Sequence, residues 1–182
     1  MLNLFNTELP DTVEVNGSFF YIQTDFRHII RFLELLEQKA KLIDFLFMFP
    51  YEKPTDIQAG INAIVEWMNP KEEIPRSDDS TPKKVLDYKV DADYIYSAFL
   101  EQYNIDLMDL SVRMHWYKFQ ALLKSLHDVK LCEIMGYRAY EPLPQNYDRS
   151  KELLRLKAQW ELPQPADAQT DKDLAYFDSL LN

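Results

Sequence analysis

Apolar residues recur at two spacings along this 182-residue chain. Near the N-terminus the pattern is that of strands. Residues 13–15 and 18–23, rich in β-branched and aromatic side chains, flank Asn16-Gly17. Asn-Gly suits the positive φ angles of a tight two-residue turn, so residues 13–23 predict a β-hairpin. A lone ribbon is marginal and must pack on helices or pair its edge with a partner. Most of the chain after residue 23 follows a helical spacing. Thr24 caps a predicted helix over 25–38, with Phe26, Ile29, Ile30, Leu33 and Leu36 as its buried stripe. A second helix covers 39–47 and stops before Pro50. Thr55-Asp56-Ile57-Gln58 reads as a capping box opening a third, with Ile57, Ile61, Ile64, Val65 and Met68 on one face; Asn69-Pro70 ends it.

The second half is denser in aromatics. Asp91 caps a predicted helix over 92–103, with Ile95, Ala98, Phe99 and Gln102 on one face. After a bend at 104–107, Asp109 is expected to start a long helix to Leu126. Val112, Trp116, Phe119, Leu123 and Leu126 are its stripe, at i, i+4, i+7, i+11 and i+14. Asp128 caps a shorter helix through Arg138. Residues 147–160 give a last main helix, with Leu153, Leu156 and Trp160 inside and Arg149, Lys151, Arg155 and Lys157 outside. The expected fold is mainly α: a single-domain bundle of six or seven helices over residues 1–162 with a small N-terminal β-hairpin.

Two stretches break the pattern. Residues 70–86 hold three prolines, many charges and few apolar groups, and read as a flexible linker. Residues 163–182 follow Pro163-Gln164-Pro165 as an acidic tail. Thr170 can cap a short helix there, with Leu174, Phe177 and Leu181 on one side. That amphipathic spacing makes Leu174, Phe177 and Leu181 the candidate partner-binding residues, seated in a groove of another protein.

Composition narrows the function. A hydrophobic content of 47% with 14% aromatics supports a real core, which argues against global disorder. Three glycines are too few for phosphate-cradling loops. The net charge of −10 sets the chain against nucleic-acid phosphates. The charge is uneven: residues 113–160 hold 9 basic against 5 acidic groups, while 70–112 hold 5 against 10. Cys132 is the sole cysteine, so no intramolecular disulfide can form, which suits a reducing compartment. The N-terminus lacks the layout of a secretory signal, and the most apolar run, 42–49, is too short to span a bilayer.

The search for chemistry finds no constellation. His28, His115 and His127 show no zinc spacing. His127 with Cys132 could be imagined as a base and nucleophile, but Cys132 on an apolar helical face reads as a buried thiol. Asp91, Asp93 and Glu101 could be imagined as paired carboxylates, but capping explains the first and solvent the others. The expectation is no enzyme, no cofactor and no metal.

The segment 87–138 also carries a resemblance. An acidic tyrosine-containing helix (DADYIYSAFLEQY), an IDL bridge, a helix with MHWYKFQALLKSL and a closing IMGYR resemble the bacteriophage gene-product-fifteen family. These are small proteins of tailed phages and prophages of Gram-positive hosts, commonly encoded just before the tape-measure gene. The resemblance extends to residues 4–44. Where the family usually has two tryptophans, this chain has Trp116-Tyr117. The resemblance implies tail morphogenesis in the host bacterial cytoplasm as a tail assembly chaperone, with the tape-measure protein and the tail-tube protein as partners. The alternative is a tail or connector component retained in the virion. It carries over no catalytic residue, and it leaves oligomerisation open.

Overall fold

The computed structural model describes residues 8–69, 84–142 and 147–163. Strands β1 (Thr12–Val15) and β2 (Ser18–Tyr21) pair antiparallel, Val15 opposite Ser18 and Thr12 opposite Tyr21. The turn between them has φ of 51° at Asn16 and 80° at Gly17, the left-handed region that Asn-Gly reaches at low cost. Val13 and Val15 are buried, as is Ile22 just beyond β2.

Seven helices are seen among the described residues: α1 (Phe26–Glu37), a 3-10 helix (Leu42–Met48), α2 (Ile57–Met68), α3 (Ala92–Tyr103), α4 (Trp116–Lys124), α5 (Lys130–Ala139) and α6 (Tyr147–Gln159). The protein is mainly α with one small hairpin. The chain divides into two compact units, Met1–Thr81 with Ile95–His127, and Pro82–Tyr94 with Asp128–Asn182. The division falls within α3. Residues 70–83 of the expected linker, and 164–182 of the expected tail, lie outside the described residues.

Several expected helix starts are displaced by one residue. Asp25, not Thr24, caps α1 by accepting from the Arg27 N–H. Asp56, not Thr55, caps α2 through the Ala59 N–H at 2.9 Å. Val129 precedes α5, while Asp128 sits in the left-handed region at φ 54°. The second predicted helix is a 3-10 segment beginning at Leu42. On α1 the buried positions are Phe26, Ile29 and Phe32, whereas Ile30, Leu33 and Leu36 are half-buried. On α2, Val65 is exposed and its stripe-mates Ile61, Ile64 and Met68 are buried.

The largest departure lies between α3 and α4. Residues 109–115 do not form the start of a long helix; α4 begins at Trp116, capped by the His115 side chain. In a continuous helix the Val112 carbonyl would receive the Trp116 N–H. Here the Trp116 N–H donates to Thr24 O at 2.7 Å, and Phe26 N–H donates to Met114 O at 3.0 Å. Two long-range backbone bonds thus stitch the start of α1 to the start of α4.

The core of the first unit is aromatic. Phe119 stacks on Phe26 (4.6 Å between centroids), Phe99 (5.2 Å) and Trp116 (5.7 Å). Trp116 is 1% exposed and Phe119 fully buried, as their stripe predicts. Gly60 lets α2 approach closely: a Cβ there would lie 2.9 Å from both Phe49 Cζ and Pro54 Cγ. In the second unit, Leu131 and Ile134 of α5 are buried, and Trp160 meets Tyr94 edge to face at 5.8 Å. Among the described residues no helix is long and apolar enough to cross a membrane.

Candidate interaction surfaces

The loop that replaces the expected helix start is held by one guanidinium. Arg27 Nη2 donates to Leu107 O at 2.8 Å and Asp109 O at 2.9 Å; Nη1 donates to Val112 O at 2.9 Å. Two of these carbonyls, Asp109 O and Val112 O, are ones that a helix through 109–126 would have used for itself. The fork of an arginine can serve three acceptors at once, which a lysine point charge does not match. Arg27 also lies 3.4 Å from the Asp25 carboxylate and stands over the Phe26 ring. Asp25 in turn accepts from Met114 N–H, fixing the far end of the loop.

Local turns complete the frame. Asp106 accepts from Met108 N–H and Asp109 accepts from Ser111 N–H, each at 2.8 Å. The hydrogen bonds from Ser111 hold the Asp109 carboxyl below the usual range, so it stays charged. Leu107 is buried as an anchor. Met108 and Leu110 project outward, 74% and 81% exposed.

A second apolar surface lies on the hairpin. Phe19 (71% exposed) and Tyr21 share the outer face of β2, and Tyr21 meets the exposed ring of Tyr51 edge to face at 5.8 Å. On the inner face Phe20 packs against Phe49.

His115 sits at the seam of α1 and α4. Its Nδ1 accepts from Tyr117 N–H at 3.1 Å, and Nε2 lies 3.2 Å from Pro10 O. A neutral ring with the proton on Nε2 satisfies both contacts; a protonated ring loses the cap. Burial lowers its pKa, as does Lys118, against the opposing pull of Pro10 O and Asp11. Trp67 stacks on Tyr117 beside it and donates its indole N–H to Pro10 O. The structure makes His115 the cap of α4.

In the second unit Asp91 and Arg138 form a two-pronged ion pair at 2.7 and 2.9 Å, 1% and 4% exposed. Arg138 also donates to Val85 O at 3.0 Å and Trp160 O at 2.6 Å, and Asp91 accepts from Asp87 N–H. Asp91 was expected as a helix cap; its carboxylate is engaged instead by Arg138 and by the turn before α3. The partner lies 47 residues away, beyond any local signal.

The remaining candidates are simply placed. His127 is exposed, its Nδ1 2.8 Å from the Gln102 amide. Cys132 is half-buried on α5. Asp93 and Glu101 are exposed. Among the described residues no group of three or more His, Cys, Asp or Glu side chains could hold a metal. Leu174, Phe177 and Leu181 lie outside the described residues. Sequence reading missed Met108 and Leu110 as surface residues because it assigned their surroundings to a bend and a helix start; the cue that was present is the Asp106-x-x-Asp109 pair of turn formers.

Comparison with known families decides the lineage: the family described as Bacteriophage Gp15 protein matches residues 5–162. The chain belongs to the bacteriophage Gp15 family. The match takes in both the hairpin and every helix through α6, so this Gp15-family fold is the mainly α arrangement with its N-terminal ribbon. No curated protein and no solved structure matches the chain.

Proposed function

We propose that this member of the bacteriophage Gp15 family is a non-enzymatic tail morphogenesis protein: a tail assembly chaperone that binds the tape-measure protein in the host cytoplasm and leaves as tail-tube subunits polymerise. Membership of the family across residues 5–162 is the observation that carries this reading, joined to the placement of that family's genes beside the tape-measure gene. The physical character of the chain supports it. A net charge of −10 keeps a complex with an apolar client soluble. Exposed apolar side chains stand on fixed frames at residues 108 and 110 and on the outer face of β2, the arrangement that reversible protein contacts use.

Co-expression with the tape-measure protein tests the reading. A chaperone keeps that protein in the soluble fraction and co-purifies with it, and mass spectrometry finds none of it in finished particles. Presence in particles at a fixed copy number would make it a retained tail or connector component. A tape-measure protein that is equally soluble without it, and never co-purifies, would end the chaperone assignment.

A further inference from the structure

We propose that the Arg27-held loop, residues 106–112, docks an amphipathic helix of a partner protein whose apolar stripe is bordered by lysine or arginine. Two observations converge on it. Met108 and Leu110 are among the most exposed large apolar side chains described, at 74% and 81%. Free rotation of a loop would normally oppose binding through lost entropy. Here that loss has already been met in folding. Three carbonyls are bound to Arg27, two aspartate turns fix the backbone beneath Met108 and Ser111, and Leu107 is buried. A surface this ordered, yet apolar at its tips, is built for contact.

The chemistry of the occupant follows from the side chains. Met108 and Leu110, two residues apart, offer two adjacent knobs. A helix surface receives such knobs in the grooves between its ridges. Methionine is unbranched and polarizable, so it adapts to stripes of differing shape, which suits a client with many similar but unequal turns. The carboxylates of Asp106 and Asp109 belong to the same loop, and Asp109 is held charged by its bonds from Ser111. The nearby cation, Arg27, is already engaged by carbonyls and Asp25. The other cation of the segment is Arg113, exposed and three residues past Leu110, so the two carboxylates leave residues 106–113 net acidic. The charge beside the knobs is therefore acidic, and its complement is a basic border. This deepens the chaperone reading by naming the surface that grips the client, and its test does not pass through that reading.

The probe is a synthetic amphipathic helix with a leucine stripe bordered by lysines, compared with the same stripe bordered by glutamates. Binding to the full chain is read by fluorescence anisotropy. The lysine helix should bind and the glutamate helix should not. The paired change Met108→Ser and Leu110→Ser leaves net charge and folding intact, and should weaken binding roughly ten-fold or more. The pair Asp106→Asn and Asp109→Asn keeps the turn-forming side-chain oxygens but removes the charge. It should weaken binding by a smaller factor that disappears at high salt. Equal binding of the lysine helix by the wild-type chain and the serine pair would overturn the proposal, as diffuse attraction to an acidic protein would then explain everything. So would no binding at all. Sedimentation of the same proteins covers the other occupant: a dimer that the serine pair dissociates, without helix binding, would assign the loop to a second copy of this chain. If the tape-measure protein co-purifies equally with the wild type and the serine pair, the chaperone reading stands and the loop assignment falls. If it never co-purifies while the lysine helix binds at the loop, the reverse holds.

Discussion

Arg27 and Arg138 each gather backbone carbonyls from segments distant in sequence. Arg27 draws on Leu107, Asp109 and Val112 from the surface of the first unit, with Asp25 at 3.4 Å. Arg138 draws on Val85 and Trp160 inside the second, with Asp91 at 2.7 Å. The difference is water. Arg27 keeps about a third of its side chain accessible, so a lost bond there can be replaced by solvent. Arg138 is enclosed, so its charge needs a carboxylate, and that carboxylate needs it in return. The same chemistry therefore organises a loop in one place and underwrites a unit's folding in the other.

The contrast can be broken by mutation, starting with the second unit. Arg138→Met or Asp91→Ala alone should each cost ~3–5 kcal/mol, because each leaves an enclosed charge without its counter-ion. The double change Arg138→Met with Asp91→Leu should recover much of that loss. Urea unfolding of the three variants checks this, and single changes costing no more than a surface substitution would show that water reaches the pair. Phe119→Ala, which empties the stacked centre of the first unit, should also cost ~3–5 kcal/mol and gives the yardstick there.

Arg27→Gln should cost less, about 1–2 kcal/mol, since solvent substitutes for part of what is lost. Its signature is local. Amide exchange should accelerate at Met108 and Ser111 while the amides of α2 keep their protection. A variant as damaging as Arg138→Met would erase the distinction between the two arginines.

His115 sharpens the comparison through pH. Its folded pKa lies below the ordinary 6.5 because burial disfavours the charged ring. Between that lowered value and 6.5 the unfolded chain binds more protons than the folded one. The ring's contribution is thus complete above about pH 6.5, falls as pH drops towards the folded pKa, and is flat below it. His115→Ala should cost about 1 kcal/mol at neutral pH as a lost cap. His115→Asn keeps a capping oxygen and should flatten the stability profile across this window; an unchanged profile would place the titration elsewhere. The smallest effect is expected of Met108→Ser with Leu110→Ser, within ~0.5 kcal/mol of the wild type in thermal unfolding.

Much of the fold was legible because it rests on local periodicity. Ile95, Ala98 and Phe99 on α3, and Trp116 and Phe119 on α4, are buried where their spacing places them. Asn16-Gly17 was enough to locate the hairpin. What could not be read depends on partners far along the chain. Nothing near Asp109 shows that its carbonyl is committed to an arginine 82 residues earlier. Nothing near Asp91 announces Arg138. His115 is a poor capping residue by statistics, and it caps because Pro10 and Trp67 hold the ring in place. The candidate surface at Met108 and Leu110 was hidden for the same reason, while Leu174, Phe177 and Leu181 remain a reading of sequence alone.

The hairpin's second strand carries an ambiguity that its turn resolves. Phe19 and Tyr21 face outward, Phe20 and Ile22 inward, so both faces of this stretch are strongly apolar. A slip of one residue would exchange them at little hydrophobic cost, since side chains alternate with a period of two. Across the ribbon, Glu14 stands opposite Phe19. A slip of β2 leaves β1 as it is, with Val13 and Val15 inward and Glu14 outward, so the first strand does not choose between the two faces. The turn is thus the ruler of this ribbon: a two-residue Asn16-Gly17 connection sets Val15 opposite Ser18, and the alignment of every later pair follows from it.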